Sequence, residues 1–117
     1  MSQHLFFYLG MSFLMMHEMD AIRCREWRIF PGLSYLKDQW GFPIFLFAHI
    51  PLFYWIFAEL ASSQTEGFIR GWNYFFLIHL GLHLLFLFHP KNEFKDWISW
   101  SIIGGAALCG ALDLLLS

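Results

Sequence analysis

Apolar residues run along this chain in four long stretches, each bounded by charge, proline or tryptophan. The first covers residues 4–22 and stops before Arg23, Arg25, Glu26 and Arg28; the second covers 41–60; the third covers 72–88 and stops at His89-Pro90; the fourth covers 97–116. A helix needs roughly 20 such residues to cross about 30 Å of hydrocarbon. The pattern therefore predicts four transmembrane helices joined by a long polar loop (23–40), a shorter link (61–71) and a brief one (89–96). The expected fold class is all-α: an integral membrane four-helix bundle, one domain over residues 1–117, with both termini on the same side. No internal repeat or low-complexity segment interrupts it.

Composition changes the picture by excluding the alternatives. Hydrophobic residues make up 58% and charged residues 14%, against roughly 45–50% and about 25% in an average soluble domain. With 15 Phe and 6 Trp among 117 residues, too little charge is left to cover a water-facing surface. A soluble enzyme, a nucleic-acid binder and a disordered tail are all poor readings, and the net charge of −2 points to no polyanionic partner. The expected partner is the lipid bilayer. The N-terminus carries no basic residue before its apolar run and no small-residue cleavage pattern after it, which predicts no cleaved signal peptide.

Lys and Arg accumulate in loops retained on the cytoplasmic side. Arg23, Arg25, Arg28 and Lys37 fall in the first loop and Lys91 and Lys95 in the third, while the second holds only Arg70. This asymmetry predicts cytoplasmic loops 23–40 and 89–96 and outside termini, in keeping with a bacterial inner membrane, with Trp27, Trp40 and Trp97 at the inner interface. The Pro31-Gly32 turn suggests a first loop that lies on that surface. In the fourth stretch Ala106/Gly110 and Ala107/Ala111 are small pairs four apart, which let helices approach closely in lipid. The face serves either a homo-oligomer or, as the preferred reading, packing within the chain's own bundle. His4, Glu59, Arg70 and Asp113 in the outer half read as ion pairs or snorkelling ends, with Asp113 facing protein. Cys24 and Cys109 lie at opposite depths and suggest no disulfide or thiol chemistry.

The ionisable groups within the apolar stretches are expensive to bury and so mark candidate sites. Counting 1.5 Å per residue from the inner boundary, His17 lies about 8 Å deep, Glu18 about 6–7 Å, His49 about 12 Å, His83 about 9 Å, His79 about 15 Å and Asp20 about 4 Å. Three helices thus bring His17, His49, His79 and His83 to one layer in the cytoplasmic half. Pro51 cannot donate to the carbonyl of Phe47 and should kink the second helix beside His49. Asp20 is equally well explained as an interfacial partner of Arg23 or Arg25. Glu26 and His89 lie where they could close the site from the inner surface, but are better read as ordinary loop residues.

The string His17-Glu18-Met19-Asp20-Ala21, followed by Glu26-Trp27-Arg28, Phe47-Ala48-His49-Ile50-Pro51, His79-Leu80-Gly81-Leu82-His83, His89-Pro90 and Glu93-Phe94, resembles an uncharacterised family of small bacterial membrane proteins, a domain of unknown function. The resemblance covers nearly the whole chain. It implies the four-helix architecture and no activity.

Several imidazoles with a carboxylate are a suitable donor set for zinc, and for copper or iron with less discrimination. The expected site is a transition-metal site, zinc foremost, ligated by His17, His49, His79 and His83. With one coordination position open, Glu18 or Asp20 would be the catalytic base of an intramembrane metal-dependent hydrolase or oxidoreductase. Ala21 stands where a His-Glu-x-x-His helix needs its second histidine, which weakens the hydrolase reading. A carboxylate-bridged di-iron centre lacks the acidic ligands it needs in this layer. Haem held by two histidines, His17 or His49 against His79 or His83, is one alternative. A small transporter or membrane-complex subunit with hydrogen-bonded histidines is the other.

Overall fold

A computed structural model describes residues 4–116 and contains four α-helices, with no strand among the described residues. They are α1 (Leu5–Arg23), α2 (Asp38–Leu60), α3 (Glu66–Phe86) and α4 (Trp97–Leu116). Two short 3-10 turns, Glu26–Arg28 and Leu33–Tyr35, fold the first loop.

Three of the helices each bury one stripe. On α1 the buried positions are Phe7, Gly10, Met11, Leu14, His17, Asp20 and Ala21; on α3 they are Ile69, Trp72, Asn73, Phe76, His79 and His83. On α4 they begin at Ser99, Ile102 and Ile103 and continue through Ala106, Cys109 and Gly110 to Asp113. Steps of three and four residues keep each stripe on one helical face, and α1 and α3 both pack on α4. The small residues of α4 make the close approach possible. A Cβ on Gly110 would lie 2.8 Å from the carbonyl oxygen of Asn73, and one on Gly10 would lie 2.9 Å from the ring of Phe76. Phe76 is therefore seated between two glycines, in a core that also holds Phe7, Leu14, Ile69 and Trp72.

Helix α2 is an outrigger. Only Gly41, Phe45 and Ile56 of its 23 residues are buried. Its upper half leans on the core through Ile56, while its lower half docks on the first loop, where Gly41 faces the ring of Trp27. The Trp27 indole donates to Asp38 at 2.9 Å, and Arg28 pairs with the same carboxylate. This docking explains why α2 starts three residues before its apolar stretch: Asp38 supplies negative charge at the positive helix end while anchoring the loop. Likewise α3 starts at Glu66, a polar turn and a half before residue 72.

The surface is as unusual as the interior. Total exposed area is 7492 Å2, against about 6,700 Å2 for a soluble monomer of this mass. Met16, Met19, Phe47, Ile50, Ile78 and Leu85 are all exposed, whereas His17, Asp20, Asn73, His83, Ser99 and Asp113 are buried. Two of the four helices, α2 and α4, are long and apolar enough by themselves to cross a membrane. In α1 and α3 His17, Asp20, Asn73, His79 and His83 lie on the buried stripe, while Ser12, Arg23, Glu66 and Arg70 are exposed.

Two predictions follow from the packing. Gly110→Ala should destabilise the protein by about 1–3 kcal/mol, because backbone of α3 blocks the added methyl; Gly104→Ala, with open space around it, should be neutral or stabilising by up to about 1 kcal/mol. Thermal unfolding in detergent compares the two. The second concerns Asp96, which precedes α4, accepts from the Ser99 N–H at 3.0 Å and pairs with Arg23 at 2.9 Å. The Arg23 guanidinium, helped by that N–H, holds its carboxyl down to about 2. A depressed carboxylate stabilises the fold above the unfolded-state value of about 3.9, and that contribution is lost as pH falls through the folded value. Asp96→Asn keeps a capping residue but removes the charge. It should flatten the loss of stability between about pH 4 and pH 2, modestly at low salt and hardly at high salt, because the pair is partly exposed.

Candidate metal centre

α1 and α3 deliver three imidazoles to one buried point. His17 comes from the stripe of α1; His79 and His83, four apart, come from successive turns of α3. Ring centroids are 4.5 Å apart for His17 and His79, 4.9 Å for His17 and His83, and 4.5 Å for His79 and His83, all edge to face. One nitrogen from each lies within 4.8 Å of the other two. His17 and His83 are each 1% exposed and His79 is 8% exposed.

A fourth group arrives from the loop. Arg25 takes a left-handed conformation, φ 52°, and starts the 3-10 turn that buries Glu26 and Trp27. Glu26 Oε2 lies 3.1 Å from His17 Nε2 and 3.8 Å from His83 Nε2. Phe94, fully buried, closes the layer, its centroid 4.6 Å from that of His83 and 5.4 Å from that of His17. Phe94 is held by its own N–H, which donates to Asn92, and by the Trp100 indole, which donates to its carbonyl.

Among the described residues, most of the buried polar side-chain atoms that lack a hydrogen-bond partner fall in this layer, the others being Trp72 Nε1, Asn73 Oδ1 and Asn92 Nδ2. His17 Nδ1 and Nε2, His79 Nδ1, His83 Nδ1 and Glu26 Oε2 are buried without a hydrogen-bond partner. The 3.1 Å approach of His17 to Glu26 is near enough for an ion pair but is not aligned as a hydrogen bond. Orphaned buried polar atoms are rare and call for an explanation. A metal ion is one, since it takes lone pairs from all three rings at once. Nitrogens on zinc bonds of about 2.0–2.1 Å stand roughly 3.3 Å apart in a tetrahedron, so the rings need to close in by up to about 1.5 Å.

The other predicted site residues go elsewhere. His49, at a similar depth on α2, pairs with Glu18: its Nε2 lies 2.5 Å from Glu18 Oε2, and its Nδ1 lies 2.7 Å from the carbonyl of Phe45. That carbonyl, rather than the Phe47 oxygen freed by Pro51, is the one the ring uses. Asp20 accepts from Arg23 Nε at 2.7 Å and from the Ser99 hydroxyl at 2.5 Å, tying α1 to α4. Cys24 sits against the same network with its Sγ 3.5 Å from Ser99 Oγ, and burial pushes its thiol up, away from thiolate chemistry. His89 is a loop residue whose Nδ1 accepts from the Lys91 N–H. At the opposite end Asp113 is buried, accepting from Asn73 at 2.7 Å and facing His4 at 3.0 Å, while His4 also reaches Glu66 at 2.8 Å. Glu26, taken from sequence as an ordinary loop residue, is therefore the carboxylate nearest the imidazoles; the signal for it was its position three residues past the end of a helix carrying His17.

The missing partners predict an unusual mutational sign. In chelator-treated protein, His17→Leu removes two unsatisfied buried nitrogens and should leave stability unchanged or raise it by about 1–3 kcal/mol. With metal present the same change should lower it. Thermal unfolding with and without chelator reads both.

A family model described as a family of unknown function (DUF6713) matches residues 3–117. No curated protein and no solved structure matches the chain.

Proposed function

Because the chain belongs to this family of unknown function, its activity has to be inferred from the site, and we propose that it is a four-helix integral membrane protein that binds one transition-metal ion, zinc foremost, through His17, His79 and His83. The observation that carries the reading is the group of three converging buried imidazoles whose nitrogens have no other partner. Glu26 supplies the fourth donor, an oxygen, which gives the N3O set that zinc accepts in tetrahedral form. Copper and iron also take imidazole and stand behind zinc in this proposal.

The membrane part rests on the distribution of polar groups. α1 and α3 carry ionisable residues, yet their outward faces present Leu9, Met16, Met19, Leu77, Ile78 and Leu85. Polar inside and apolar outside is what a bilayer demands, since lipid offers no hydrogen bonds. The basic loops 23–40 and 89–96 then lie in the cytoplasm of a bacterial inner membrane, by the excess of Lys and Arg there, and the metal sits in the cytoplasmic half.

A bare ion is favoured over haem because the rings touch edge to face at 4.5–4.9 Å with Phe94 against them, which leaves no slot for a macrocycle between any pair. The transporter or subunit reading, with histidines that only hydrogen-bond across helices, is less favoured, because Glu26 alone approaches them and its contact with His17 is not aligned as a hydrogen bond. With Glu18 and Asp20 bonded elsewhere and Glu26 closing the coordination, the site holds its ion in place.

Metal analysis and zinc titration of the purified, chelator-stripped protein test the proposal. One ion per chain is expected. His79→Ala or His83→Ala should weaken binding by more than about 100-fold, beyond the 10–100-fold typical of losing an outer-shell partner, while His49→Ala retains it. Affinity should fall on acidification, because imidazole ligands must be unprotonated. Unchanged binding in His79→Ala, or loss in His49→Ala alone, would overturn the assignment.

A further inference from the structure

A second polar group sits in an apolar setting, away from the three histidines. Between α1 and α2 a cleft of about 360 Å3 opens on the apolar flank, and Met15, Met19, Leu46 and Phe53 surround the Glu18 and His49 pair within it. The volume falls within the roughly 300–1,000 Å3 of small-molecule sites, toward the small end.

The hydrogen bonds of the pair define what it can recognise. The Phe45 carbonyl can only accept, so His49 Nδ1 carries a proton and donates to it. A single proton then lies between His49 Nε2 and Glu18 Oε2. Wherever that proton resides, the pair is neutral overall and the histidine has no donor left. Glu18 Oε1 makes no hydrogen bond among the described residues and remains an acceptor. A carbonyl head finds nothing here to donate to it, and an anionic head meets a carboxyl oxygen. A hydroxyl head finds its acceptor.

The walls add the second requirement. Two thioethers and the Phe53 ring, whose centroid is 5.5 Å from that of His49, make a soft, polarisable lining, and sulfur packs favourably against aromatic rings. Outside the cleft the flank continues through exposed Ile50, which suits an apolar tail.

We propose that the α1–α2 cleft binds a lipid-soluble aromatic alcohol, a phenol or quinol head on an apolar tail, whose hydroxyl donates to Glu18 Oε1. The site does not depend on metal in the histidine layer.

The test uses the full chain in detergent with its methionine methyls carbon-13 labelled, and two probes: 4-dodecylphenol and its methyl ether 4-dodecylanisole, which cannot donate. The phenol should bind at one per chain, shift the Met15 and Met19 methyl signals more than that of core Met11, and bind about fivefold tighter than the ether, as expected for one hydrogen bond to an acceptor of a neutral pair. Leu46→Trp, at an exposed position, fills the cleft without opening the core and should weaken the phenol by about tenfold or more. His79→Ala, which disables the metal site, should leave phenol binding unchanged, so that failure of either proposal is distinguishable from failure of the other. Equal affinity for phenol and ether, shifts as large at Met11 as at Met15 and Met19, or full binding by Leu46→Trp would each overturn the proposal.

Discussion

A polar atom in a dry interior must find a partner, and this chain places its polar side chains on the same helical faces that form its core. That constraint organises everything else. Along the seam where α1, α3 and α4 meet, Asp113 takes Asn73 and His4 at one end, and Asp20 takes Ser99 and Arg23 at the other. These pairings lock α4 to its neighbours by directional bonds, which are strong where no water competes for them. Between the two lies Phe76, clasped by glycines, and then the histidine layer. The carboxylates are satisfied at both ends, whereas the unpartnered atoms gather mostly in the middle, where three imidazoles converge.

The histidine layer is built by unequal contributors. α3 supplies two rings from a rigid register of four residues, α1 supplies one, and an irregular loop supplies the carboxylate. Metals tolerate such mixtures because each donor needs only one atom in place. The positive φ of Arg25 is what turns Glu26 inward instead of along the interface with its basic neighbours. α2 stays outside this arrangement and meets the rest of the molecule through a few contacts at each end and the His49–Glu18 pair at its middle.

Much of this was legible in the chain. The four helices could be read from apolar runs, and α4 begins and ends where its run does. The starts of α2 and α3 could not, because Asp38, Glu66, Gly67, Arg70 and Gly71 interrupt the apolar runs, although Ile69 packs in the core. Depth counted along each helix brought His17, His79 and His83 together correctly as a group. Depth is only one coordinate, however. His49 shares the level but sits at a different angle around the bundle axis, set by α2 packing through Phe45 and Ile56, and it meets Glu18 instead. Glu26 can be placed where it could close the site from the inner surface but reads as an ordinary loop residue, since its inward path depends on a backbone turn that periodicity does not describe.

The turn Glu26–Arg28 joins three otherwise separate parts of the molecule. Glu26 faces the histidines, Trp27 carries the foot of α2 against Gly41, and Arg28 grips Asp38 in the first turn of that helix. Three consecutive residues in a tight turn cannot be repositioned one at a time. A substitution within the turn therefore disturbs the floor of the histidine layer and the foot of α2 together, and neither can be altered through it alone.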